Sequence, residues 1–471
     1  MVAGCDEKAY PRTLVFGGGF DSYSGGGITL SNLFRGWPRG RLAVVDYRAR
    51  SGTASAACAE YRLGALEHKW VWPLSYLPSP SREAGSVAHS ALASVPVSDD
   101  TVSAGDAPSA RATASSAARA AFHVIVDRLG AQDVLQKPTL SGSLKRWVAD
   151  FSPDVLYCHF STLGTIRLVR ALHECSDAKL AIHMMDDWPE TVYAGSLMGP
   201  LLRDVVDREL RELISLAAVR MAISRAMADE YLLRYGFEFD VFHNCIDVPF
   251  WRERRKTSWA VASPLRVVYC GRIGWDALAS FVDVCEAVEL MNQAGVATQF
   301  SIYPGGIDAS SAKALARYAH TRILPAVEDE QLPDVLTGAD VLIIPSNFEG
   351  RGRRFARLSM PTKVPAYMAC ATPIVLYSPR THATCAWAEQ AKWALVVGDR
   401  SRERLALALS DLAASEAQRE ALGRRASEIA DREFDGRHVR AAFRESLAGQ
   451  PHQRRSASGD ARGLSDDIRR G

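Results

Sequence analysis

Two neighbouring carboxylates, Asp186 and Asp187, stand in the stretch His183-Met184-Met185-Asp186-Asp187-Trp188-Pro189, directly after the apolar run Lys179 to Met184. The run reads as a buried strand, so the pair falls at a strand's carboxyl end, where open α/β sheets bind their ligands. Carboxylates there can accept hydrogen bonds from hydroxyl groups or help to move a proton. The competing assignment is an N-cap for a helix that opens with Trp188 and Pro189. His183, and His159 after another apolar run, are weaker candidates of the same kind, each read first as a structural histidine at a strand end and only second as a base. No Asp-x-Asp occurs in the chain, so no metal is expected on such a pair.

A second chemistry is anion binding. Gly17-Gly18-Gly19 and Gly25-Gly26-Gly27 bracket a loop between a strand-like run and a helix-like one, where free backbone N–H groups and a helix N-terminus can hold a phosphate. The spacing misses the dinucleotide fingerprint, and with no Gly-Lys dipeptide in the chain it also misses the P-loop. Two cations in the second half, Arg272 after a strand and Lys363 at the head of a helix-like run, suit a leaving diphosphate. Taken singly, each is an ordinary surface residue.

The elements that must position these groups repeat one grammar twice. Thr13 to Phe16, Leu42 to Val45, Asp154 to Cys158, Lys179 to Met184 and Val219 to Ile223 read as strands, with helical patterns at Ile28 to Phe34, Thr165 to His173 and Leu201 to Leu216. The second half restarts with strands at Leu265 to Tyr269, Gln299 to Tyr303 and Val341 to Ile344, interleaved with a helix from Ala277 to Asn292 and followed by a helix and strand over Thr362 to Leu376. Strand and helix alternating predict an α/β fold with two parallel sheets. The expected domains are 1–250, carrying a mobile Ser/Ala-rich insertion at about 78–120, and 264–425, with a linker over 248–263. A helix over 426–449 that crosses back and a disordered tail over 450–471 complete the division.

Length and composition agree with this. A chain of 471 residues exceeds what one core supports, and 56 Lys+Arg against 54 Asp+Glu give no field that calls for a nucleic acid. The basic run Arg351 to Arg357 reads first as a solvated face. Nine cysteines, without a Cys-x-x-Cys pair, indicate neither a disulfide framework nor a structural metal, and point to a reducing compartment. No apolar stretch is long enough to span a bilayer. The expected location is the cytoplasm, with peripheral contact at the inner face of a membrane left open.

Several stretches, taken as a set, resemble the retaining glycosyltransferases of GT-B architecture often called group 1 or family 4. In the first half they are Gly25 to Leu33, Met185 to Pro189, Ala222 to Met227 and His243 to Asp247. In the second half they are Val268 to Ile273, Leu332 to Ser346 and Pro361 to Val375. The likeness covers most of the chain outside the insertion and tail. It implies two Rossmann-like domains facing a cleft, the first holding an acceptor (a glycan, a lipid-linked molecule or a small molecule) and the second a nucleotide-sugar donor. It also implies transfer with retention, no metal and no cofactor. Arg272 resembles the diphosphate-contacting arginine of the family's Gly-Arg motif.

Two departures stand out. The lysine that usually follows that arginine is missing from Ile273-Gly274-Trp275-Asp276-Ala277, and the family's two glutamates eight positions apart are replaced by Leu358 and Ala366. We therefore expect Lys363, beside Thr362, to supply phosphate charge, Ser346, Asn347 or Glu349 to take over polar contacts, and Arg351 to Arg357 to border the phosphate site. The alternatives are a GT-B binding or regulatory protein impaired in catalysis and, further off, a Rossmann-type oxidoreductase. A similarly built epimerase or phosphorylase shares the same pattern.

Overall fold

The computed structural model describes residues 9–47, 52–64, 66–70, 85–87, 126, 135–273 and 277–449. Its central strands are short runs with both faces buried, the pattern expected where helices cover both sides of a parallel sheet. In the first domain they are β1 (Thr13–Phe16), β2 (Leu42–Asp46), β3 (Ala59–Arg62), β4 (His68–Trp70), β5 (Gly85–Val87), β6 (Gln136–Pro138), β7 (Val155–Cys158), β8 (Lys179–Met184), β9 (Val219–Ala222) and β10 (Asp240–Val241). Eight of them form one sheet in the order β10-β9-β8-β7-β1-β2-β3-β5. The register pairs Phe16 with Val45 and Cys158, and Met184 with Ala222, so the loops after β1, β2, β7, β8 and β9 emerge along one edge.

Not every pair is parallel. β5 runs antiparallel to β3, and β4 with β6 makes a separate antiparallel pair. β5 lies inside the expected insertion at 78–120; the rest of that segment, like the tail at 450–471, is outside the described residues.

The second domain is a six-stranded parallel sheet of β11 (Leu265–Cys270), β12 (Thr298–Tyr303), β13 (Thr321–Ile323), β14 (Val341–Pro345), β15 (Ile374–Tyr377) and β16 (Leu395–Val397). Their order, β13-β12-β11-β14-β15-β16, reverses direction at β11 and β14, and at such a switch point the loops part to leave a crevice. The loops after β11 and β14 carry Gly271-Arg272 and Ser346-Asn347.

The domain boundaries shift from the sequence-based expectation. Ile246, Val248 and Trp251 are buried in the core of the second domain, so the first ends near Cys245 rather than at residue 250. The segment 248–253, expected as linker, is a short helix opened by an Asp247 cap on the Phe250 N–H. The final helical stretch is three helices, Arg402–Ala414, Glu416–Glu433 and Gly436–Ala448. The return crossing lies at Phe434 and Asp435, later than residue 426. There Phe434 O accepts from the Ile246 N–H (2.9 Å) and Ile246 O from the Gly436 N–H (2.8 Å), which ties the two crossings together. The last helix packs its fully buried Phe443 and Leu447 into the core of the first domain.

Candidate active-site cleft

The first wall begins with the glycine loop. Ser24 caps the helix Gly25–Leu33 by accepting from the Gly27 N–H at 3.0 Å. Asp21 folds back beneath this turn, its carboxylate accepting from the Ser24 N–H (2.7 Å), the Tyr23 N–H (3.1 Å) and the Ser24 hydroxyl (2.8 Å). The loop thus brings its own anion to part of the helix N-terminus, and the expected phosphate cradle over Gly25, Gly26 and Gly27 is narrowed to the N–H groups of Gly25 and Gly26. Gly27 is glycine for a steric reason: a Cβ there would lie 2.2 Å from Asp21 Cγ.

At the end of β8 the two carboxylates part company. Asp187 is fully buried, and Arg234 grips both its oxygens (2.9 and 3.1 Å) while Tyr231 donates to Oδ1 (3.2 Å). Burial pushes its pKa up, and the hydrogen bonds and charge of Arg234 pull against that. It occupies the N-cap position of the turn Trp188–Glu190 but caps no N–H with its side chain. Asp187 is therefore a structural counter-ion rather than the reacting carboxylate the sequence left open. Asp186 is half-buried and has no hydrogen-bond partner among the described residues. Burial raises its pKa, with Asp187 adding to the shift and His159 opposing it. Of the pair, Asp186 is the one free to meet a substrate.

His183, expected as a candidate catalytic group, sits in the core instead. Its Nε2 faces the Phe242 carbonyl at 2.9 Å and must donate, so Nδ1 accepts from the Tyr157 hydroxyl at 2.6 Å. With both nitrogens committed and burial driving its pKa down to about 3, it is a neutral structural histidine.

Across the cleft, residues 357–363 of the second domain reach onto the first. Arg357 approaches Glu230 (3.2 Å) and Asp187 (3.5 Å), Leu358 is buried in the first domain's core, and its carbonyl accepts from Ser224 (2.6 Å). Asn32 donates to Asn244 (2.8 Å), Asn244 to the Thr362 carbonyl (2.9 Å), and Thr362 to the Gly25 carbonyl (3.4 Å). Arg357 is thereby a clamp between the domains and not part of a phosphate border. None of Asp21, Arg234 and Glu230 stands out in the sequence, and Asn244 does so only as part of the stretch His243 to Asp247. Asp21 carried a usable signal, an acid inside a glycine run; the others are brought to the cleft only by folding.

Lys363, Tyr269 and Gly271 form the second wall. Lys363 Nζ lies 3.9 Å from the Tyr269 ring centroid and donates to its hydroxyl, which in turn donates to the Arg272 carbonyl at 2.5 Å. Gly271 has φ of +136°, and a Cβ on it would stand 2.8 Å from Lys363 Nζ. Glycine at this position therefore keeps the lysine's approach open. Burial lowers the Lys363 pKa to about 7, and it has no carboxylate partner among the described residues. Tyr367 fastens the same turn: its hydroxyl accepts from the Cys270 N–H (2.6 Å) and donates to the Cys270 carbonyl (2.9 Å). The Arg272 side chain is exposed. The neighbouring segment 274–276, with the missing lysine, is outside the described residues.

After β14, Ser346 is 3.3 Å from His382 Nδ1, and its carbonyl accepts from Ser280 (2.7 Å). Asn347 buries an amide oxygen with no partner, an acceptor of the kind that a ligand satisfies. Glu349 points the other way: its side chain is 78% exposed and pairs with Arg400 at 3.1 Å, so it does not replace a missing cleft carboxylate. No group of three or more His, Cys, Asp or Glu side chains that could hold a metal is found among the described residues. Nor is any helix there long and apolar enough to cross a membrane.

Two Rossmann-like domains with parallel sheets facing one cleft define the GT-B fold. Within it, residues 264–415 match the family model described as "Glycosyl transferases group 1". Among solved structures, HepE of Anabaena in complex with UDP-glucose aligns with a TM-score of 0.54 at 13% identity, covering 93% of this chain and 99% of that one. Sucrose-phosphate synthase of Thermosynechococcus elongatus aligns at 0.56 and 12%, covering 91% and 96%. A glycosyltransferase of Rickettsia africae aligns at 0.55 and 9%, covering 93% and 99%. No curated protein sequence matches the chain.

Proposed function

We propose that this protein is a glycosyltransferase that moves a sugar from a nucleoside diphosphate to a hydroxyl acceptor, with retention and without a metal. The observation that carries the reading is Lys363: a lysine at the switch point of the second sheet, without a carboxylate partner, beside a glycine that keeps its approach open. Its charge suits a departing diphosphate, and the partnerless Asn347 oxygen, in the loop after the neighbouring strand β14, suits a donor group on a nucleotide. The group 1 match over the same domain and the UDP-glucose complex of HepE agree with this assignment.

In this scheme the bond from the sugar's anomeric carbon to the diphosphate breaks as Lys363 and Arg272 take up the developing charge. The acceptor hydroxyl attacks on the same face, and its proton passes to the departing phosphate oxygen. Asp186 accepts a hydrogen bond from the acceptor or the sugar, and the closed cleft keeps water away. The acceptor, held by the first wall, belongs to the glycan, lipid-linked or small-molecule class. Peripheral membrane contact, for a lipid-linked acceptor, belongs to the same proposal.

One observation favours a second reading, a binding protein that has lost transfer. The positions of the family's two glutamates hold Ala366 and a Leu358 buried in the other domain's core, so neither offers a carboxylate to a donor. A panel of UDP, GDP and dTDP sugars, followed by thermal shift and by release of free nucleoside diphosphate, separates the two. Stabilisation with turnover supports transfer, stabilisation with no turnover on any acceptor class supports the second reading, and no stabilisation by any nucleotide refutes both.

A further inference from the structure

Away from the cleft, the last helix and the end of the helix Gly25–Leu33 enclose a cavity of about 290 Å³. Arg35, Arg437, Arg440 and Arg444 line it, with Tyr10 and Trp37. Four guanidiniums around one small space repel one another unless charge is supplied. Other arginines of the chain have it: Arg167 pairs with Glu209 (2.6 Å), Arg255 with Asp431 (2.7 Å) and Arg266 with Asp340 (2.9 Å). In this cavity Arg437 has such a partner, Asp435 at 2.6 Å, alone of the four among the described residues.

The other three are held by neutral groups. Arg444 lies over the Tyr10 ring (5.0 Å to the centroid) and donates to its hydroxyl at 3.2 Å. Arg440 Nη1 is 4.0 Å from Cys245 Sγ, and Arg35 donates to Asn32 Oδ1 at 3.3 Å. None of the three has a carboxylate partner among the described residues. Arg440 and Arg444 are one turn apart on the same helix, both half-buried, and so present their forks to the same space. The packing of Tyr10 edge-on to Trp37 (5.1 Å) gives the cavity a stiff aromatic wall.

We propose that this cavity is a second anion site, separate from the cleft, that takes a phosphate-bearing group. Guanidinium forks match phosphate oxygens two at a time, and several converging on one partly open pocket give a charge density that a monovalent anion does not fill. The volume suits a phosphate or diphosphate with little attached, below the range usual for larger cofactors. A free phosphorylated metabolite and a phospholipid headgroup share this chemistry.

The test uses inorganic pyrophosphate as one probe and phosphatidylglycerol vesicles, against phosphatidylcholine vesicles, as the other. Calorimetric titration is run on the full chain carrying Lys363→Met and Arg272→Gln, so that both cleft cations are removed, with and without Arg440→Gln and Arg444→Gln. The expected result is pyrophosphate binding that the paired substitutions weaken about tenfold or more. Arg35→Gln, on an exposed side chain that donates to Asn32, weakens it in the same direction without a change in melting temperature. Pyrophosphate binding lost in the pair assigns a free phosphate compound. Phosphatidylglycerol binding lost in the pair assigns a headgroup. Absence of binding by both probes, or binding that neither the pair nor Arg35→Gln alters, overturns the proposal.

Discussion

Replacing Lys363 by methionine keeps the aliphatic stem against the Tyr269 ring and removes the charge. If Lys363 receives the donor's diphosphate, two effects follow. The first is a loss of nucleoside diphosphate affinity of about tenfold to a hundredfold, the scale of one charge-assisted hydrogen bond. The second is the disappearance of a pH dependence. In the free protein burial holds the Lys363 pKa at about 7. A bound diphosphate requires the ammonium form and raises that pKa, so binding takes up a proton. Affinity is then full below pH 7 and falls as pH rises towards the pKa of the complex. The protonated fraction of the free lysine drops from about a half at pH 7 to about a thirtieth at pH 8.5, so Kd for the wild type rises about fifteenfold over that interval. Working above pH 7 also keeps the terminal phosphate, with a pKa of about 6, fully ionised. Calorimetry with the nucleoside diphosphate that stabilises the protein most, at pH 7.0, 7.75 and 8.5, reads both quantities. A wild-type Kd that is flat over this range, or a Lys363→Met protein with the same slope, refutes the assignment.

The two adjacent aspartates should separate cleanly. Asp187→Asn removes the buried carboxylate of the cluster, leaving Arg234 and Arg357 to share Glu230, and lowers stability by about 3 kcal/mol in denaturant unfolding, whereas Asp186→Asn keeps the melting temperature and reduces turnover. Full activity in Asp186→Asn would remove it from the cleft chemistry. Gly27→Ala, whose methyl meets the Asp21 carboxylate, costs about 1 to 3 kcal/mol, while Gly26→Ala, with nothing nearer than Met185 Sδ at 4.0 Å, is neutral or stabilising. Equal stabilities would contradict the packing under the loop. Phe443→Ala removes a ring packed 5.0 Å from Phe34 and 5.4 Å from Phe242 and lowers stability by about 3 to 5 kcal/mol, measured by unfolding monitored in the first domain.

The buried strands are legible in the sequence because a parallel strand covered on both faces is written as an unbroken apolar run, as in Leu42 to Val45 or Val341 to Ile344. Arg272 and Lys363 are legible as candidates because each follows or precedes such a run, although the approach of Lys363 to Gly271 across 92 residues of chain is not. Asp186 and Asp187 show the limit. Adjacent and identical in type, they differ only in what surrounds them, and Arg234 comes to Asp187 from a helix on the far side of β9. Arg357 fails for the same reason, since a run of arginines looks like a solvated face until one of them finds Asp187. The extra antiparallel strand β5 is three residues of Gly-Ser-Val in a Ser/Ala-rich stretch, too short for any periodicity to register.

The late return of the chain has a consequence for how the protein is made. The first domain is translated early, yet its hydrophobic interior is completed by Phe443 and Leu447, which leave the ribosome last of all the described core residues. Until then the rings of Phe34, Trp37, Tyr157 and Phe242 lack the side chain that fills the space between them. Domain-by-domain folding in order of synthesis is therefore closed to this chain: the domain made first is finished second, after the other has supplied the path back to it.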